Sequence, residues 1–257
     1  EWTPITASML ADLAVESGLP RGVLNVLQGA GPEAGAALVA HADVRRISFT
    51  GSPPTARAIG AAAAANLTPV SFELGGKSPL IVCDDADMDL AVGTAAGQYD
   101  NAGQVCLAGT RLLVHAKVYD EFAARLREKI AAIRLGDPRD PATHVGPLIH
   151  PKHLARVAGY VDRAVAAGAR LVTGGRVSPA LGGLYYEPTL LADVPDGAEI
   201  LRDEVFGPVL TMQKVADDAE AILRANDTEY GLAGIVFTRN QARADRISEA
   251  LVAGTVG

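Results

Sequence analysis

What most constrains this chain is an alternation, repeated along its length, of short β-rich apolar runs with longer stretches of helical period. Residues 6–17 read as a helix stopped by Gly18, residues 23–27 as a strand and 33–40 as a helix. Residues 46–50 read as a strand, 55–65 as an alanine-rich helix and 70–74 as a further strand. Strands that are apolar on both faces must be covered on both faces. The βαβαβ rhythm therefore predicts an α/β fold, a mainly parallel sheet with helices packed on it. The same rhythm continues, with strands expected over 81–82, 111–115, 171–173, 209–214 and 235–238. Helices are expected over 89–96, 119–133, 154–167, 219–225 and 242–251. Gly75 and Gly76 follow a strand and mark one division, residues 1–74 and 75–257.

Composition narrows the function classes. With 257 residues, 49% hydrophobic and 21% charged, the chain can bury a large core in one or two domains. Net charge is −7 and the basic residues are scattered, so no stripe exists to neutralise a polyphosphate backbone and nucleic acid is not an expected partner. No apolar run reaches about 18 residues and the first residues do not form a signal peptide, so the expectation is a soluble, cytoplasmic protein with no membrane partner. The chain opens inside an acidic, proline-containing run and ends just after a strand begins, and neither end carries a cap or polar tail. It reads as a piece of something longer.

Only two cysteines occur, too few for a secreted disulfide framework and not spaced as a CxxC pair. Cys83 closes the apolar run Leu80-Ile-Val-Cys83 and reads as core. Cys106 lies in Tyr99-Asp-Asn-Ala-Gly-Gln-Val-Cys106-Leu-Ala-Gly-Thr-Arg111, flanked by Gly103 and Gly109. Small neighbours let a carbonyl approach a thiol, and a nucleophilic thiol needs such access together with N–H groups aimed at the developing oxyanion. Glu73 sits at the end of a strand in Phe72-Glu-Leu-Gly-Gly-Lys-Ser-Pro79. A carboxylate there is costly unless partnered or functional, and the carboxyl ends of parallel strands face ligand crevices. The competing role for Glu73 is to accept N–H bonds from the glycine turn that follows it.

The two segments, 33 positions apart from Glu73 to Cys106, together resemble the two active-site signatures of the aldehyde dehydrogenase superfamily. The resemblance extends in order through Gly31-Pro-Glu-Ala-Gly35, Ile47-Ser-Phe-Thr-Gly-Ser52, Gly146-Pro147, Gly174-Gly175, Glu187-Pro-Thr189, Glu204-Val-Phe-Gly-Pro208, Asn226-Asp-Thr-Glu-Tyr-Gly-Leu232 and Ala253-Gly-Thr-Val256. It implies a Rossmann-like NAD-binding part, of which residues 1–74 are the carboxyl-terminal portion, followed by an α/β catalytic domain over 75–257.

The resemblance implies that Cys106 attacks an aldehyde to give a thiohemiacetal and that Glu73 activates the water that hydrolyses the resulting thioester. The Cys106 N–H would form part of the oxyanion site; family members complete it with an Asn side chain from a segment before Glu1. NAD is the implied cofactor. Gly51 and Ser52, at a strand-to-helix turn, would meet its pyrophosphate, and Gly29 would lie beneath the adenosine. Glu204 would bond the nicotinamide ribose and Phe206 would lie beside the nicotinamide. Glu1 resembles the acid that accepts the adenine ribose hydroxyls and repels a 2′-phosphate, favouring NAD over NADP.

Pro53, Pro54 and Ala56 depart from the family's Gly-Ser-Thr-x-x-Gly, removing two N–H donors and one glycine. Val105 and Leu107, beside the thiol, would contribute to the substrate pocket. The complete protein is expected to be a homo-oligomer acting on an aldehyde. A chain of this extent could also be a non-catalytic fragment, or a member forming acyl-CoA, against which the hydrolytic Glu73 argues. His150 and His153 could pair on a metal, but no third ligand follows at a sensible spacing, so no metal site is expected. His41, His115 and His144 read as surface or capping residues.

Overall fold

In the computed structural model, which describes residues 1–257, the chain divides into two units, Glu1–Leu74 and Gly75–Gly257. The first holds α1 (Pro4–Glu16), α2 (Ala36–Ala40), α3 (Pro53–Ala64) and two strands, β1 (Ile47–Gly51) and β2 (Val70–Leu74). The strands pair in parallel, Ile47 opposite Val70 through Gly51 opposite Leu74, with α3 as the crossover. Ala56 and Ala63 are buried where α3 packs on the strands, and Phe49 meets Phe72 edge to face at 6.4 Å between ring centroids.

Two local expectations are corrected in this unit. Residues 23–27 form no strand: they make no ladder with β1 or β2, and strand-like composition becomes a strand only when its backbone is paired. The helix expected over 33–40 begins with a π-turn, Gly31–Gly35, in which the Ala36 N–H reaches back to the Gly31 carbonyl. At the other end of α3, the Thr68 N–H bonds the Ala63 carbonyl and the Leu67 N–H that of Ala64. That is a Schellman cap, with Leu67 in the left-handed position (φ 55°) that glycine usually takes.

The second unit is built on one seven-stranded sheet: β3 (Pro79–Val82), β4 (Arg111–His115), β5 (Arg170–Thr173), β6 (Thr189–Ala192), β7 (Val209–Val215), β8 (Ala233–Phe237) and β9 (Thr255–Val256). Its spatial order is β5-β6-β7-β4-β3-β8-β9, and only the β5–β6 pairing is antiparallel. β3, β4 and β6 are buried at every position, as continuous apolar runs covered on both faces must be. β6 was not foreseen, because its four residues follow Pro188 and are too few to show a period.

Five helices cover this sheet: α4 (Met88–Gly97), α5 (Tyr119–Ala131), α6 (Pro151–Ala166), α7 (Asp218–Asn226) and α8 (Gln241–Ala250). α5 buries Tyr119, Phe122, Leu126 and Ile130, one face at helical spacing. Asp87, Asp217 and Asn240 cap α4, α7 and α8 by accepting the N–H of Leu90, Glu220 and Arg243. Past the carboxyl ends of the strands, Arg243 bonds Asp84, Asp85 and Asp218 and ties α8 to the sheet. No helix is long and apolar enough to cross a membrane.

Because β3, β4, β7 and β8 run parallel, the segments leading into them, residues 75–78, 99–110, 202–208 and 227–232, gather along the edge formed by the strands' amino ends.

Candidate active site

Cys106 occupies a turn between the end of α4 and β4 and is partly exposed. The approach to it is tightly wound: Asn101, Ala102 and Gly103 follow one another in the left-handed region, with φ of 52°, 55° and 66°. Only glycine fits the third of these, since a Cβ there would collide with the Gly207 carbonyl. Asn101 and Gln104 brace the turn through reciprocal side-chain bonds, Asn101 Nδ2 to the Gln104 carbonyl at 3.1 Å and Gln104 Nε2 to the Asn101 carbonyl at 3.0 Å. Gln104 Oε1 also accepts the Ile149 N–H at 3.0 Å. Beyond the thiol, Gln98 Oε1 accepts the Gly109 N–H at 2.6 Å. The N–H groups of Gln104 and Ala108 are engaged within the loop, while that of Cys106 donates to no protein acceptor. A thiol beside an uncommitted N–H can attack a carbonyl and stabilise the oxygen it leaves.

Gly76 is where this loop meets a carboxylate. A Cβ on Gly76 would collide with the Cys106 carbonyl and lie 3.4 Å from Leu232 Cβ, so the loops before β3, β4 and β8 close on it. Its N–H donates to Glu204 Oε1 at 3.1 Å. Glu204 is half-buried, and its carboxyl is raised above the usual range by burial, against the pull of the Gly76 N–H, Arg156 and Lys77. The carboxylate that caps the glycine turn is therefore Glu204, whereas Glu73 is exposed at the end of β2. Phe206, two residues after Glu204, stands in the left-handed region at φ 56°, and His153 Nε2 donates to its carbonyl at 2.6 Å.

Gly51 closes β1 and Ser52 caps α3 without a side-chain bond to its backbone, its hydroxyl 3.0 Å from that of Thr55. Pro53 and Pro54 form the first two helical positions, so Thr55 is the first residue of α3 with an N–H to offer. Ala56 is buried, its methyl filling the contact a glycine would leave open. Gly29 lies in the bend before the π-turn with φ 153°, and Glu1 is exposed. Val105 and Leu107 flank the thiol and are 38% and 49% exposed, large apolar side chains left facing out at the loop. Cys83 is buried, and burial pushes its thiol up to about 12, which makes it inert.

The histidines act on backbone. Nδ1 of His41, His115, His144 and His150 each accepts an N–H, from Asp43, Lys117, Arg134 and His153. His153 sends its other face to Phe206.

Sequence reasoning missed Lys77, Arg111 and Arg156. Lys77 is 3% exposed, and burial together with the neighbouring Arg111 lowers its ammonium to about 7, although Asp203 and Glu204 act against this. Arg111, 2% exposed, spends its guanidinium on three carbonyls: Lys77 at 2.8 Å, Arg224 at 2.7 Å and Ala225 at 2.6 Å. The available signal was a charged residue at the head of an apolar run, as in Lys77-Ser-Pro-Leu-Ile-Val82 and Arg111-Leu-Leu-Val114.

Fold and geometry together define a class: an α/β protein of two units in which the backbone of a loop carrying a partly exposed cysteine and a half-buried carboxylate meet on one glycine at a sheet edge. The chain belongs to the aldehyde dehydrogenase family, which it matches over residues 1–257. It is 48% identical over 259 residues to a betaine aldehyde dehydrogenase of Sinorhizobium fredii, covering 100% of this chain and 53% of the relative. It is likewise 48% identical over 256 residues to one from Cereibacter sphaeroides, covering 99% of this chain and 53% of that protein. Among solved structures, a betaine aldehyde dehydrogenase from Staphylococcus aureus in complex with NAD+ matches with TM-score 0.94 and 41% identity, over 99% of this chain and 51% of the other. An NADP-dependent enzyme from E. coli matches with TM-score 0.96 and 42% identity, over 99% and 53%. The chain thus spans about half the length of the curated relatives it matches.

Proposed function

We propose that the whole protein oxidises an aldehyde to its carboxylic acid with NAD, using Cys106 as nucleophile and Glu73 as general base. The observation that carries this reading is the convergence of the Cys106 loop backbone and the Glu204 carboxylate on Gly76, which brings together two segments singled out separately in the sequence. The Cys106 thiolate adds to the aldehyde carbon, and the free Cys106 N–H faces the oxygen on which charge develops. NAD, when bound, accepts the hydrogen and electron pair that the aldehyde carbon gives up. The acyl group is then held on Cys106 as a thioester. Glu73 takes a proton from water as the water attacks that thioester, and the thiol is released with the acid.

The residues present fit the cofactor. Glu204 offers a carboxylate to ribose hydroxyls, Phe206 a ring beside the nicotinamide, and Ser52 with the Thr55 N–H the donors for a pyrophosphate after β1. The two prolines make this last contact leaner than four helix N–H groups would provide. Glu1 favours NAD, because its charge repels a 2′-phosphate. The similar structure solved with NAD+ supports this assignment, and the NADP-dependent neighbour makes it worth testing directly.

Val105 and Leu107 favour a carbon-rich aldehyde, and the names of the relatives make betaine aldehyde the first substrate to try. The test is NADH formation by the protein across an aldehyde panel, with NADP in parallel. Cys106→Ala is expected to abolish turnover. A loss of less than about tenfold would sink the assignment of the nucleophile.

A further inference from the structure

We propose that one face of α6 is a splint for the segment carrying Glu204 and Phe206, with His153 and Arg156 as positioning residues. The four residues His153, Arg156, Tyr160 and Arg163 are spaced three, four and three apart, so they lie in one row along the helix. Each holds a successive part of residues 199–206, and the segment runs against the helix direction. Arg163 pairs with the Glu199 carboxylate, and Tyr160 donates to Asp203 Oδ2 at 2.9 Å. Arg156 donates to two carbonyls, Glu204 at 2.6 Å and Val205 at 3.2 Å. His153 Nε2 takes the next, Phe206, at 2.6 Å, and because a carbonyl can only accept, that nitrogen carries the proton. Three consecutive carbonyls are captured by two side chains one turn apart.

These contacts differ in weight. The Arg163–Glu199 pair is exposed on both sides, and such pairs contribute little. Arg156 forms no carboxylate pair and gives its charge to backbone, where charge-assisted bonds are stronger than neutral ones. Tyr160 supports the row from beneath, with the Arg156 and Arg163 guanidinium carbons 5.2 and 5.0 Å from its ring centroid.

The splint has strain to hold. Phe206 is not glycine, yet it sits at φ 56°, a conformation that persists only where the surroundings over-determine it. The His153 bond does this on one side, and the His153 ring meets the Phe206 ring at 6.2 Å. On the other side Gly207 lies directly on α6, where a Cβ would be 2.6 Å from Val157 Cγ2. Releasing the Phe206 carbonyl lets that residue relax, and the ring and the neighbouring Glu204 carboxylate lose their fixed positions.

The positioning role rests on the reading that Glu204 and Phe206 serve the nicotinamide side of the cofactor, and the test separates the two. Backbone amide exchange of residues 199–208 is measured by mass spectrometry without cofactor in His153→Leu, Arg156→Met and His153→Gln, the last keeping an N–H donor. The first two are expected to exchange this segment about tenfold faster or more, with the remainder of the sheet unchanged and His153→Gln close to the parent. In steady state the same two variants are expected to raise KM for NAD by about tenfold while kcat falls less, again with rescue by His153→Gln. Unchanged exchange in both Leu and Met variants overturns the splint. Faster exchange with an unmoved KM, where Glu204→Gln does raise KM, overturns the positioning role. If Glu204→Gln itself leaves KM unmoved, the cofactor reading of that residue falls, and exchange alone decides the splint.

Discussion

Lys77→Met should remove a specific, signed part of the pH dependence of stability. Lys77 is buried at the head of β3, and its ammonium is lowered from 10.5 to about 7, chiefly by burial and next by Arg111. Between these values the unfolded chain holds a proton that the folded chain has shed, so unfolding takes up one proton. Stability then rises with pH by about 1.4 kcal/mol per unit across the window. The contribution is complete above 10.5 and is lost as pH falls through about 7, a span of about 5 kcal/mol. Methionine has nearly the same length, fills the same space and titrates nowhere. All 6 tyrosines lie in the second unit and the single tryptophan in the first, so the tyrosine near-ultraviolet circular dichroism follows the unit that holds Lys77. Urea unfolding at about pH 7.5 and about pH 9.5 should show the parent gaining about 2 to 3 kcal/mol relative to Lys77→Met between the two. Parallel behaviour of the two proteins over that interval would refute the claim that Lys77 is held neutral by burial.

Leu67→Gly should stabilise the first unit by about 1 kcal/mol, because an 89% exposed leucine occupies a left-handed cap position; its thermal midpoint is the readout. Gly76→Ala drives a methyl into the Cys106 carbonyl, and a displaced thiol should cost about a hundredfold or more in turnover, measured as NADH formation. Arg111→Met leaves the carbonyls of Lys77, Arg224 and Ala225 unmet in the interior. It should destabilise the second unit by about 3 kcal/mol or more in urea.

That the sheet is mainly parallel and covered on both faces was readable from unbroken apolar runs such as Leu80-Ile-Val82 and Arg111-Leu-Leu-Val-His115, while its strand order and β6 were not. Residues 23–27 show the limit of that signal, since strand-like composition says nothing of whether the backbone finds a ladder partner. Cys106 stood out by its flanking glycines, and the structure sets it on a partly exposed turn. The meeting of Glu204 with Gly76 was not, since 128 positions separate them and only the folded sheet edge brings them together. The role of His153 was hidden for a related reason. Its spacing to His150 is a local pattern shared by metal pairs and helix caps, while its real partner, the Phe206 carbonyl, is 53 positions away and carries no side-chain signature.

In the proposed reaction the acyl group passes through Cys106 before water removes it. Intact-mass and peptide mass spectrometry of the Glu73→Gln variant, taken during turnover with an aldehyde and NAD, tests it most directly. Removing the base should slow hydrolysis more than acylation, so one acyl group per chain is expected to accumulate on the peptide containing Cys106. Formation of acid at the parent rate with Cys106 unmodified, or an acyl group found on Cys83 instead, would contradict it.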